Sequence, residues 1–219
     1  MSLHYNKLIN LGYKPVRRKD YAEVSPVKGL PSSVDTNLFD LGNAFLRPDV
    51  LNMIRARKIM PVLTPLEQLD LAKVVNDRLK ILAADAKLIL SAEAFSFYRT
   101  AAEKTLIDIL FSDLDLNVLL IERNIVDWIS SYMLQTKWLQ KNEQHLLKQP
   151  GSIFDFTDTG WMLNTKDLKT VFGIQESQQY EDMINLDGSV IPSFVRWLGL
   201  QQCNFEDGLD TWHNVTPKF

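Results

Sequence analysis

Arg123 and Ser131 stand eight residues apart in the segment LLIERNIVDWISSYM, and Asn124 and Asp127 between them are spaced to open a helix. Asn is a favoured N-cap, and an acidic side chain three residues on can reach back to the cap N–H. A helix that starts there leaves its first N–H groups without partners and gathers partial positive charge at that end. A guanidinium beside it is disfavoured by roughly some tenths of a kcal/mol unless an anion lies between the two. The corner therefore suits a phosphate or sulfate; the alternative is that Arg123 pairs with Glu122, Asp127 or another carboxylate. Ser131 lies two turns inside the helix, ~10 Å along its axis, so it shares a ligand with Arg123 only if that ligand lies along the helix.

The elements around this corner follow from local patterns. Thr64-Pro65-Leu66-Glu67 is a capping box with proline at the first helical position, and Leu66, Leu69, Val74, Leu79 and Leu82 are expected to carry the apolar face of a helix to about Ala84. KLILS (Lys87 to Ser91) reads as a short buried strand, a helix follows over about Thr100 to Phe111, and NVLLIER (Asn117 to Arg123) reads as the next strand. This is a βαβ unit whose two strands should be parallel, with ligands expected at their carboxyl ends. A long helix is predicted from Ile125 to about Leu147, then a helix near Lys166 to Phe172 stopped by Gly173, a polar edge strand in IQESQQY, and a last helix from Val190 to Leu198 closed by Gly199. The start is less regular. Leu3 to Leu11 can form a short helix stopped by Gly12, Pro15, Pro26 and Pro31 mark an irregular stretch carrying Arg17-Arg18-Lys19, and helical spacing returns at Leu38 to Phe45 and Val50 to Ile59. The expected organisation is one α/β domain over 1–219, with an irregular and helical part over 1–60 and the α/β core over 61–200.

Composition excludes more than it names. The 219 residues are 46% hydrophobic and 23% charged with net charge −3, enough for a sizeable core and without a global pull toward nucleic acid or an anionic membrane. The single Cys203 has no disulfide partner within the chain, and His4, His145 and His213 match no metal-ligand spacing, so no metal is expected. No segment reaches the ~18 apolar residues of a membrane span and no charged-then-apolar leader is present, which makes a cytoplasmic location the expectation. Asn214-Val215-Thr216 fits a glycosylation acceptor and reads as an accidental match.

The segment RNIVDWISSY resembles the part of PAPS-dependent sulfotransferases that binds the 3′-phosphate of the sulfate donor, a pattern of Arg-Asn-Pro with a Ser eight residues after the Arg. Arg123 and Ser131 fall at those two positions, and the family's Pro is Ile125 here. LILSAEAF is similar to the Ser-Ser-Glu strand end of the bacterial carbohydrate-type members, with Ser91 and Glu93 in the matching places. VFGI, QQYEDM, GSVIPSFVRWLGL and HNVTPKF then follow in the family's order, so the resemblance spans roughly residues 80 to 217. It implies a three-layer, P-loop-like α/β domain with a short, mostly parallel sheet and many helices, PAPS or PAP as nucleotide, and a hydroxyl acceptor of the carbohydrate class. It implies in-line attack of the acceptor hydroxyl on sulfur, aided by a base. Cytosolic relatives place a histidine after the strand that here ends at Ser91; this chain has none there, and Glu93 is the available substitute if burial raises its pKa, or else a helix cap. Trp128, Tyr132 and Trp138 recur at near-helical spacing beside the site, as a core stripe or a sugar platform.

The family's first strand and its Lys-x-Gly-Thr-Thr loop, which hold the 5′-phosphosulfate, have no counterpart: Gly12, Gly29 and Gly42 stand alone. The chain is therefore expected to be clipped at both ends, with the first P-loop strand missing and strand edges left for another segment or a homodimer to cover. Two readings follow. One is a sulfotransferase-like protein, inactive as it stands, that keeps the 3′-phosphate half of a donor site. The other is a non-enzymatic interaction or structural protein on the same scaffold.

Overall fold

A computed structural model describes residues 8–26, 38–147, 149–155, 160–187 and 190–200. The expectations for His4, Gly29, Pro31, Cys203, His213 and Asn214 lie outside the described residues. In chain order the elements are β1 (Tyr13–Pro15), α1 (Phe39–Ala44), α2 (Met53–Ala56), α3 (Pro65–Ala83), β2 (Lys87–Ile89), α4 (Ala101–Leu110), β3 (Ile121–Glu122), α5 (Ile125–Asn142), α6 (Thr165–Phe172), β4 (Gln178–Gln179), α7 (Tyr180–Asp187) and α8 (Val190–Trp197). Short 3-10 helices lie at Arg18–Tyr21, Glu93–Phe97, Gln144–Leu146 and Gly160–Leu163. The protein is a mixed α/β structure with small parallel sheets.

Local chemistry starts and stops the helices. Glu67 accepts the Thr64 N–H at 2.7 Å while Thr64 Oγ1 accepts the Glu67 N–H at 3.3 Å, the capping box read from the sequence. Thr100 and Glu103 repeat it at the start of α4. Gly173, at φ +65°, ends α6 in the left-handed conformation that a residue without Cβ adopts freely. α5 stops at Asn142, not near Leu147, because Glu143 leaves helical geometry at φ −146° and forms an ion pair with Arg57.

Sheet pairing departs from expectation. β1 pairs in parallel with β2, Tyr13 opposite Lys87, and β3 pairs in parallel with β4, Ile121 opposite Gln178. β2 and β3 are thus strands of two separate two-stranded sheets and not neighbours in one βαβ ladder. Of the apolar runs at 87–91 and 117–123 only 87–89 and 121–122 are strand, and neither is buried as expected, their residues being exposed or partly exposed; ladder partners are chosen by packing, which such runs do not encode. The expected edge strand within IQESQQY is β4, and the residues after it form α7, which the sequence reading did not place.

The core gathers Tyr21, Leu41, Phe45, Leu79, Tyr98 and Leu110 into one buried cluster that extends to Val171. α1 approaches the 3-10 helix at 93–97 so closely that a Cβ on Gly42 would lie 2.9 Å from the Ala92 Cβ, and the Tyr98 hydroxyl donates to the Gly42 carbonyl at 2.7 Å. The face of α3 is partly as expected: Leu79 is buried and Leu69 and Leu82 pack on the core, but Leu66 and Val74 are exposed, while Gln68 and Asn76 are buried with Ala72 and Val75. The cause is polar. Gln68 Nε2 donates to the carbonyls of Ala44 (2.8 Å) and Leu46 (3.1 Å), and Asn76 Nδ2 to those of Leu110 and Ser112 (both 3.0 Å), so each amide closes the end of a neighbouring helix.

Candidate functional site

Asn124 begins α5 as the N-cap, its side chain accepting the Val126 N–H at 2.9 Å. The acidic partner expected in Asp127 is Glu181 of α7 instead, whose Oε1 accepts the Asn124 N–H at 3.0 Å. The exposed Asp127 sits in the first turn of α5. A carboxylate thus already stands at the positive end of this helix, where an anion is favoured.

Arg123 is exposed, and its guanidinium carbon lies 5.3 Å from the centre of the Tyr180 ring, a cation–π contact. Among the described residues it forms no ion pair with a carboxylate. Glu122, the nearest candidate, is engaged elsewhere: it lies 3.0 Å from Lys169 Nζ and accepts from Ser177 Oγ at 2.9 Å and Gln179 Nε2 at 3.2 Å. Burial opposes ionisation of Glu122, but the hydrogen bonds from Lys169, Ser177 and Thr165 outweigh it and hold the carboxyl below the usual range.

Ser131 is exposed on α5, seven residues from the N-cap and so two turns further along. Arg123 and Ser131 are therefore both open to solvent on one strand-to-helix unit. Glu93 is exposed at the first position of its 3-10 helix, with Ala92 as the N-cap residue. Its side chain makes no hydrogen bond among the described residues, so neither the burial needed by a base nor a capping bond is present. Ser91 is exposed, and its carbonyl accepts the Leu38 N–H at 3.0 Å.

The aromatic stripe divides. Trp128 stacks on the buried Tyr132 at 5.2 Å and Tyr132 on Phe154 at 6.3 Å, fixing α5 to the core, whereas Trp138 is half exposed. Surface clefts of about 480 and 560 Å³ lie elsewhere, the first along α6 around Lys166 and Lys169, the second between β4, α7 and α8 around Asp182, Arg196 and Trp197. Among the described residues no three or more His, Cys, Asp or Glu side chains are grouped to hold a metal ion. No described helix is long and apolar enough to cross a membrane.

Tyr180 and Glu181 are the site residues that sequence reasoning missed. Their signal was the acidic pair Glu181-Asp182, which fits the first turn of a helix. No family model, curated protein or solved structure matches the chain.

Proposed function

We propose that the protein is a sulfotransferase-like scaffold that binds the 3′-phosphate end of an adenosine 3′,5′-bisphosphate nucleotide at Arg123 and Ser131 and does not itself transfer sulfate. The observation that carries this reading is the exposed guanidinium of Arg123, paired with no carboxylate among the described residues, at the start of an 18-residue helix. The fit of the nucleotide is partial. Arg123 would supply two charge-assisted donors to a phosphate and Ser131 a hydroxyl. A 5′-phosphosulfate would need a further set of N–H donors and a cation, and the 219 residues contain no glycine loop of that kind. The donor, when bound, supplies the activated sulfuryl group; Arg123 and Ser131 would bind and orient its 3′-phosphate end.

Thermal shift with adenosine 3′,5′-bisphosphate tests the reading. At ligand ~100-fold above Kd the stabilisation is ~2.7 kcal/mol, roughly 5–10 °C for a chain of this size. Arg123→Ala should abolish the shift and Ser131→Ala should reduce it. Glu181→Gln should enlarge it, because that carboxylate competes for the same positive helix end. No shift at 10 mM ligand would overturn the proposal.

The second reading, a non-enzymatic protein on the same scaffold, is favoured by Glu181 itself. A carboxylate that already satisfies the Asn124 N–H does for the helix start what a phosphate would do. In that case Glu181→Gln lowers stability with or without nucleotide and leaves binding undetectable.

A further inference from the structure

The outer face of α5 is apolar where a surface helix is expected to be polar. Val126 is 66% exposed, Trp138 51%, and Met133 and Leu134 50% each, while Tyr132 and Leu139 on the opposite face are buried. At about 100° per residue, Val126, Ser130, Met133, Leu134, Lys137 and Trp138 share one side of the helix. The charges along that side are ordered, with Asp127 toward the N-terminus and Lys137 and Lys141 toward the C-terminus.

That order makes the face complementary to itself in one orientation. Two α5 helices laid antiparallel about a two-fold axis beside residue 132 set Val126 against Trp138 of the second copy, Ser130 against Leu134, and Asp127 against Lys137. Two-fold symmetry forms each of these contacts twice. A parallel pairing would instead bring Asp127 beside Asp127 and Lys137 beside Lys137. Packed helices cross at an angle, so their ends diverge, and Arg123 and Lys141, nine residues either side of the centre, are carried apart.

We propose that α5 is the contact face of a homodimer, two copies of this chain packing antiparallel through Val126, Met133, Leu134 and Trp138 and registered by paired Asp127–Lys137 contacts. The occupant is a second copy because the helix supplies both halves of the charge pattern. The strip from Val126 to Trp138 is only ~18 Å long, so the interface is small and the dimer weak, with Kd on the order of tens of micromolar. The inference does not rest on nucleotide binding; Ser131 shares a helical stripe with Asp127, Leu134 and Trp138, so a nucleotide bound along α5 and the dimer would compete for this face.

Sedimentation velocity on the full chain from 5 to 500 µM, ranges that bracket a Kd of about that size, tests it. The expected result is a monomer–dimer equilibrium that Leu134→Asp abolishes across the range. Asp127→Lys and Lys137→Asp should each weaken association about tenfold or more, since each converts two attractions into two repulsions, and the double exchange should restore Kd to within about threefold. All three positions are exposed, and far-ultraviolet circular dichroism checks that each variant stays folded. The proposal is overturned by a monomer at every concentration, by a dimer indifferent to Leu134→Asp, or by a double exchange that fails to restore association. Shielding of Trp138 from acrylamide in a monomeric protein would mean that residues of the same chain cover the face, which also overturns it.

Discussion

Glu103 shows how one buried carboxylate can organise a junction. It is 1% exposed and accepts the N–H groups of Arg99 (2.7 Å), Thr100 (2.9 Å) and Arg47 (3.1 Å), so it caps α4 and ties the chain after α1 to it. The Arg47 and Arg99 guanidiniums both lie over Trp161, at 4.3 and 5.6 Å, and burial together with the nearby Arg47 pushes the Arg99 pKa down to about 10, leaving it charged at neutral pH. Glu103→Ala would leave three backbone donors without their acceptor and take a buried carboxylate away from the Arg47 guanidinium. A loss of about 3 kcal/mol is expected, or about 10 °C in Tm by calorimetry, against near-neutrality for Glu93→Ala on the surface.

Among the elements, α3 is the clearest test of what a hydrophobic period can and cannot say. The period marks Leu66 and Val74 as core, yet they face water, and Gln68 and Asn76 are inside because the carbonyl ends of α1 and α4 need donors more than the core needs two further aliphatic groups. Asn76→Leu keeps the apolar count up but leaves the Leu110 and Ser112 carbonyls unpaired. In urea denaturation it should cost about 2 kcal/mol with an unchanged m value, while Leu66→Gln should stay within about 0.5 kcal/mol of wild type. A face assigned by period alone predicts the reverse order.

For the whole molecule, Glu122 couples β3, β4 and α6 through Lys169, Ser177 and Gln179, and it gives stability a pH dependence. Its carboxyl binds a proton less readily folded than unfolded, so its contribution is present above the unfolded value near ~4.3 and is lost as pH falls through the lower folded value. Lys169→Met should lower Tm at pH 7 by about 3 °C, a deficit that shrinks toward pH 3, when Tm is followed across pH. The sequence by itself determined the features decided within a few residues: the Thr64–Glu67 capping box, the Asn124 cap, the stop at Gly173 and the alternation of helices with short extended runs. These depend on hydrogen bonds between chain neighbours, and chain neighbours are what a sequence displays. Only the tertiary structure decided that Lys87 lies beside Tyr13 and Ile121 beside Gln178, that Glu181 takes the place expected for Asp127, and that Arg123 rests on Tyr180. Each of these joins residues tens of positions apart, where many partners of the same chemistry compete and the choice among them is made by packing.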